Sequence, residues 1–382
     1  MMRRALAALG AAVVLAGVLA GCTDDEARRA TAQPSSSPTE QPSSPAATEA
    51  TEDETALEGG IAESPAPVQR TQSLLDWTPI PGPPTTTVTR SGPWTLTVNE
   101  GGTRATVEGG NWRARFVGGG RQRISDGLIA GEWAVIVVQD EQETRPAVAN
   151  VVHLGTQTGR FTVDGSSTVP TTTGGTWALG EGMLVHPTLG PGGSYCLATV
   201  DLEKQASERT WCAEKRHGFN GARITPEGTS LMTFDDHQPS CRTVVRVAGD
   251  DVAPFEGVED CLGWEGVLTA DGAVWSVVPK ATRIEAAHYY ARAGDEYFDL
   301  GPGTSGTLVW CGDDAAYFAQ DPLRDGDPAR LLRWTTDRAL EVVYETRGRG
   351  AAFLTEPRCG DDRITVTAIA ESGDEQVSAP LG

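Results

Sequence analysis

Gly266-Val-Leu-Thr-Ala-Asp-Gly-Ala-Val-Trp-Ser-Val-Val278 holds the key to this chain: an apolar run, a tight turn built on Asp and Gly, then a second apolar run. Asp-Gly between runs rich in Val and Trp signals a β-hairpin, because Gly supplies the left-handed backbone that a tight turn needs. The plan recurs at 127–138 (Gly-Leu-Ile-Ala-Gly-Glu-Trp-Ala-Val-Ile-Val-Val) and at 177–185 (Trp-Ala-Leu-Gly-Glu-Gly-Met-Leu-Val). It returns at 222–234, at 308–318 and at 358–368, where the last two share a Cys-Gly-Asp-Asp turn. Beyond the N-terminal region, no long stretch spaces its apolar residues at helical intervals, so the pattern is all-β.

Turn glycines return about every 40 to 50 residues, the spacing of four-stranded propeller blades. Each hairpin is followed by a second: 147–154 with 160–164, 195–202 with 209–214, 242–247 with 252–258, 288–292 with 296–300, and 331–335 with 339–345. Five four-stranded units result. A sixth shows only its inner pair near the C-terminus, and the hairpin 94–98 with 104–107 is expected to complete it. The pattern therefore predicts a six-bladed β-propeller closed by pairing the two ends of the chain, which removes the exposed sheet edge. A seven-bladed ring using residues 74–88 is the competing count.

Seven cysteines are present, and six lie in the repeat region. Cys196 and Cys212 are symmetric about the turn at Lys204, and Cys241 and Cys261 about Asp251. Each pair is expected to face across the outer hairpin of its blade, within reach of a disulfide. Cys311 and Cys359 pair by elimination, from the same slot in consecutive repeats. No cysteine or histidine pattern has zinc spacing.

Arg3 and Arg4 precede an apolar run over 5–20 that closes on Leu19-Ala20-Gly21-Cys22, the form of an export signal. The cysteine after Leu-Ala-Gly resembles a bacterial lipoprotein signal. That resemblance implies cleavage before Cys22, a lipid on its sulfur, and a mature protein anchored on the outer face of the cytoplasmic membrane. The expected organisation is a signal at 1–21, the lipidated cysteine and a Ser/Thr/Pro/Glu-rich linker at 22–70, and a folded domain at 71–382. The linker has too few large apolar residues to offset its ordering entropy. A net charge of −21 argues against nucleic acid as a partner.

Ile224-Thr-Pro-Glu-Gly-Thr-Ser-Leu-Met-Thr-Phe234 resembles the Ser-Pro-Asp-Gly repeat of TolB-type β-propellers, and 268–275 is a looser copy. The resemblance implies the propeller fold and carries no function with it.

Alternating strands put the longer, more polar connections on one face, where binding residues are expected. Asp235, Asp236 and His237 form one candidate, able to hold a cation or to act as acid and base. Asp321, Asp325 and Asp327 form another, able to wrap calcium although not at EF-hand spacing. No other cofactor is expected, and no serine-hydrolase elbow, zinc-protease helix or P-loop motif occurs. These features point to an anchored binding or scaffold module for an extracytoplasmic protein, peptide or envelope polymer. The alternative is an exported polysaccharide hydrolase using loop carboxylates.

Overall fold

A computed structural model describes residues 64–157, 159–280, 282–312, 314–347 and 351–381. The signal, Cys22 and the linker up to residue 63 lie outside the described residues. The described chain forms seven sheets in sequence order, each built on four antiparallel strands, with a fifth, parallel strand added to blades 5 and 6, so the ring has seven blades, not six. Blades 2 to 6 span residues 122–163, 178–212, 217–254, 263–304 and 309–345. The difference lies in the hairpin assigned to closure. Trp94–Val98 and Arg104–Gly109 do pair, but Thr87–Ser91 and Trp112–Val117 flank them and complete a blade of their own, blade 1. The alternating Arg and Thr of these flanking strands masked them as loop. The last blade, blade 7, takes its inner strand from Ala352–Leu354 and Arg358–Cys359, then Arg363–Ala370 and Glu375–Pro380. Its fourth strand is Thr78–Pro79 from the N-terminal side, so the chain's two ends do close the ring. Pro79 has no N–H to donate, which suits an outermost strand.

Closure is only the end of a longer strap. Pairing begins at Ala66, ahead of the boundary expected at Thr71. Ala66–Pro67 lies parallel along the outer strand of blade 5, and Arg70–Gln72 along that of blade 6, before Thr78–Pro79 enters blade 7. Two side chains peg the strap between blades. Arg70 donates to Gln320 Oε1 (2.8 Å) and to the Leu300 carbonyl (3.2 Å). Trp77 donates its indole N–H to the Val343 carbonyl at 2.7 Å, and its ring meets Tyr344 edge-on at 5.1 Å.

Blades pack face to face through apolar clusters, as two-sided burial requires. Val135 and Val137 meet Leu184 and Val200 between blades 2 and 3, and Tyr317 meets Val366 and Val377 between blades 6 and 7. Such clusters fill the six interfaces from blade 1 round to blade 7. The seventh, where blade 7 meets blade 1, is faced on the blade 7 side with Thr365, Thr367, Gln376 and Ser378, all buried.

At the inner radius the backbones nearly touch. A Cβ on Gly360 would lie 2.0 Å from the Arg90 carbonyl oxygen of blade 1, and one on Gly312 would lie 2.0 Å from the Asp361 carbonyl oxygen of blade 7. Each Cys-Gly-Asp-Asp turn thus needs its glycine for the neighbouring blade to close in. The two aspartates of the second turn complete the contact. Asp361 accepts from Ser91 Oγ and from the Gly131 N–H (both 2.8 Å), and Asp362 accepts from the Gly92 N–H at 2.6 Å.

Three disulfides are present: Cys196–Cys212, Cys241–Cys261 and Cys311–Cys359. Cys196 faces Cys212 across the outer hairpin of blade 3. Cys241 and Cys261 do not face across a hairpin. The fourth strand of that blade ends at Pro254, and the chain turns back so that Leu262 runs beside Arg242 in parallel. Cys311 and Cys359 join equivalent slots of blades 6 and 7, whose Cα atoms are 5.5 Å apart because inner strands converge on the axis. By chain entropy a closed loop of that size contributes about 4 kcal/mol.

Replacing Trp77 by Ala is expected to cost about 2 kcal/mol, roughly half the cost at a fully buried tryptophan. A fall in the midpoint of chemical unfolding, with the slope unchanged, would register it; an unshifted midpoint would show the strap to be energetically idle.

Candidate functional site

The first loop chosen from sequence is a self-contained turn. Asp235 ends the second strand of blade 4 and accepts from the Cys241 N–H (2.8 Å), the His237 N–H (3.1 Å) and Ser240 Oγ (3.4 Å). Its other oxygen meets His237 Nδ1, and that bond holds the carboxyl down at about 2. Asp236 turns away to Arg216 Nε at 2.6 Å. The trio therefore shapes the loop beside the Cys241–Cys261 disulfide: Asp235 is bonded within the loop, and Asp236 is tied to Arg216 ahead of the blade's first strand.

The second trio is not brought together: among the described residues no three His, Cys, Asp or Glu side chains are placed to share a metal ion. Asp321 is partly buried, its Oδ1 has no hydrogen-bond partner, and burial raises its pKa. Asp325 is exposed in the same loop and Asp327 is half-buried. Two of the histidines are structural. His186 is buried and stacked on Trp177 at 5.3 Å, and His288 Nε2 meets Asp299 Oδ1 at 2.6 Å.

The ionic centre of the molecule lies in the axial tunnel. Inner strands of blades 1, 2, 3, 4, 6 and 7 enclose a throat cavity of about 140 Å³. It opens into a wider mouth, about 480 Å³, on the face that carries the first-to-second-strand turns. Glu356 of blade 7 is clamped on both oxygens, by Arg223 Nη2 of blade 4 (3.1 Å) and by Arg358 Nη2 of blade 7 (3.1 Å). Arg223 also donates from Nε to the Leu308 carbonyl at the start of blade 6 (3.2 Å), so one side chain ties three blades across the axis. Arg223 additionally faces Glu265 of blade 5 electrostatically. Glu265 is buried and accepts from Tyr289 Oη (2.7 Å), the Gly306 N–H (2.9 Å) and the Leu308 N–H (3.1 Å).

Asp126 completes the set. It follows an irregularity in the pairing of the inner strand of blade 2, within the field of Arg358, Glu356 and Arg223. Burial pushes its carboxyl above the ordinary range. Arg223, Glu265, Glu356, Arg358 and Asp126 all escaped the sequence analysis as site residues. One signal was available: aligned on their turns, the repeats place Leu128, Ala178, Val267 and Val309 where blade 4 places Arg223. A charge in an otherwise apolar slot marks a strand whose residue reaches the axis.

No protein-family model matches the chain, and no curated protein resembles it in sequence. Solved structures resemble it in fold. A prolyl endopeptidase superposes with a TM-score of 0.50 at 12% identity, over 76% of this chain and 45% of that one. The present chain thus spans less than half the length of that enzyme. The β-propeller domain of the Trilobed protease from Pyrococcus furiosus gives 0.49 at 11% identity, over 83% of this chain and 96% of that one. TolB from Acinetobacter baumannii gives 0.39 at 14%, over 70% and 64%. At such identities the likeness concerns the fold alone, and the strand order defines its class: a seven-bladed β-propeller with a charged stopper in its tunnel.

Asp126 yields a prediction of definite sign. Its folded-state pKa is raised, so above the unfolded value the native state retains a proton that the unfolded chain gives up, and stability falls as pH rises through that window. Asp126→Asn is expected to be more stable than the parent at pH 7 and indistinguishable from it at pH 3, by chemical unfolding at both. A variant less stable at pH 7 would show that the arginines hold the carboxylate instead.

Proposed function

We propose that this chain is an anchored binding propeller of the cell envelope. Cys22 carries the lipid, the segment before Ala66 acts as spacer, and the loop-rich face receives an extracytoplasmic protein, peptide or envelope polymer. One observation carries the reading. Among the described residues, the large apolar side chains left exposed are Leu74, Val117, Leu189, Ile284, Leu323 and Phe353, and all but Leu74, which belongs to the strap, sit on that face. Apolar side chains gathered on one face and rimmed by polar loops suit a partner. Leu323 also edges a cleft of about 510 Å³ against Ala351 and Ala352.

The test is capture by in-cell crosslinking from the native membrane, comparing the parent with Leu323→Glu/Phe353→Glu and with Cys22→Ala. The expected result is one dominant partner, at least tenfold depleted in the double variant and absent from the membrane fraction of Cys22→Ala. Equal capture by parent and double variant would sink the reading.

The hydrolase reading is favoured by a single feature, the carboxyls of Glu356, which lines the throat, and of Asp126, buried within its field and with a raised pKa. It requires that Asp126→Asn abolish cleavage of wall polysaccharide by the parent chain. If the parent leaves that substrate intact, the reading fails.

A further inference from the structure

The interface between blades 7 and 1 departs from the other six. In Arg363–Ala370, Ile364, Val366 and Ala368 face the apolar cluster shared with blade 6, whereas Thr365 and Thr367 face blade 1. Glu375–Pro380 repeats the division, with Val377 and Ala379 on one side and Gln376 and Ser378 on the other. Blade 1 answers with Thr95, Thr97 and Thr106, beside the buried Val88, on the face opposite Leu96 and Val107. Two hydroxyl-bearing stripes therefore face one another where every other interface has aliphatic packing. Exchanging apolar burial for buried hydroxyls and an amide weakens an interface unless the groups find partners.

Partners hold the two ends of this seam and leave its middle open. At the turn face, Asp361 and Asp362 clamp Ser91 and Gly92. At the loop face, Gln376 Nε2 donates across the seam to the Thr86 carbonyl and within blade 7 to Thr367 Oγ1, both at 2.8 Å. Between the clamps is a cavity of about 250 Å³. Its walls combine Thr86, Thr87, Thr355 and Thr367 with small apolar surfaces of Val88 and Ile369, and its inner end is formed by Glu356 and Arg358.

We propose that this seam is a binding pocket for a single saccharide unit. Closely spaced hydroxyls that both donate and accept match the ring hydroxyls of a sugar, a carboxylate and a guanidinium add directional bonds, and Val88 and Ile369 receive its C–H face. The pocket opens toward the loop-rich face, yet it shares no residue with the exposed apolar surface invoked above. The two interactions can therefore fail separately.

The experiment uses the exported full chain with N-acetylglucosamine, glucose and galactose as probes, and the dipeptide Ala-Ala as a peptide control. Saturation-transfer NMR should show at least one sugar receiving magnetisation from the protein and Ala-Ala receiving none. Addition of that sugar should shift the Gln376 side-chain amide and the Thr367 and Ile369 methyl resonances. Thr367→Val and Thr355→Val should weaken binding at least tenfold, with melting temperatures at or above the parent's. That combination separates a ligand pocket from a merely structural seam, in which the hydroxyls would be stabilising and the variants would melt lower. The proposal is overturned if no sugar shows transfer, if the shifts fall elsewhere, if the variants bind as the parent does, or if Ala-Ala alone competes. None of those results bears on partner capture by Leu323 and Phe353.

Discussion

Closing a circle of twisted sheets forces their inner strands into contact, and that crowding governs the rest of this structure. Gly312 and Gly360 are placed where a single methyl group would strike the next blade's carbonyl, so the inner radius is set by backbone against backbone. Once the strands are that close, equivalent residues of adjacent blades come within disulfide reach, and Cys311 and Cys359 are joined. The same crowding leaves the axis too narrow to remain empty. Arg223 can cross from blade 4 to Leu308 and Glu356 because the gap is only one side chain wide.

What the sequence disclosed follows from how strongly each segment repeats. The hairpins around Asp271 and Gly131 were plain because their second strands, Gly272–Val277 and Trp133–Asp140, are buried on both faces and read as near-continuous apolar runs. Blade 1 was obscured because Trp112-Arg-Ala-Arg-Phe-Val117 and Thr87-Val-Thr-Arg-Ser91 alternate, as strands with one polar face do. A hairpin separated from its flanks was then free to be assigned to the wrong blade. Two of the disulfides were recoverable from symmetry and the third by elimination, although Cys241 and Cys261 meet through a chain reversal that symmetry does not describe.

The site was far less legible. Asp235, Asp236 and His237 attracted attention because carboxylates and imidazole are adjacent in sequence, yet adjacency made it easy for the loop to bond to itself. Asp126, Arg223, Glu356 and Arg358 come from three blades and share no local pattern. Only their slots in the repeat, on strands that face the axis, bring them together. The hydroxyl seam was likewise written as alternation in Arg363-Ile-Thr-Val-Thr-Ala-Ile-Ala370, a pattern that by itself suggests a solvated face. In this fold that face meets another blade.

The strap from Ala66 to Pro79 also makes the propeller a mechanical element. Any load carried by the preceding chain enters at the rim of blade 5, where it meets two residues of parallel pairing. It must next dislodge Arg70 from between blades 5 and 6, and then Trp77 from between blades 6 and 7, before it reaches the strand that closes the ring. Resistance thus rises step by step along the path of the pull. Weak tension is absorbed by the outermost pairing, and only sustained tension reaches the closure, so the molecule yields in a fixed order from rim to latch.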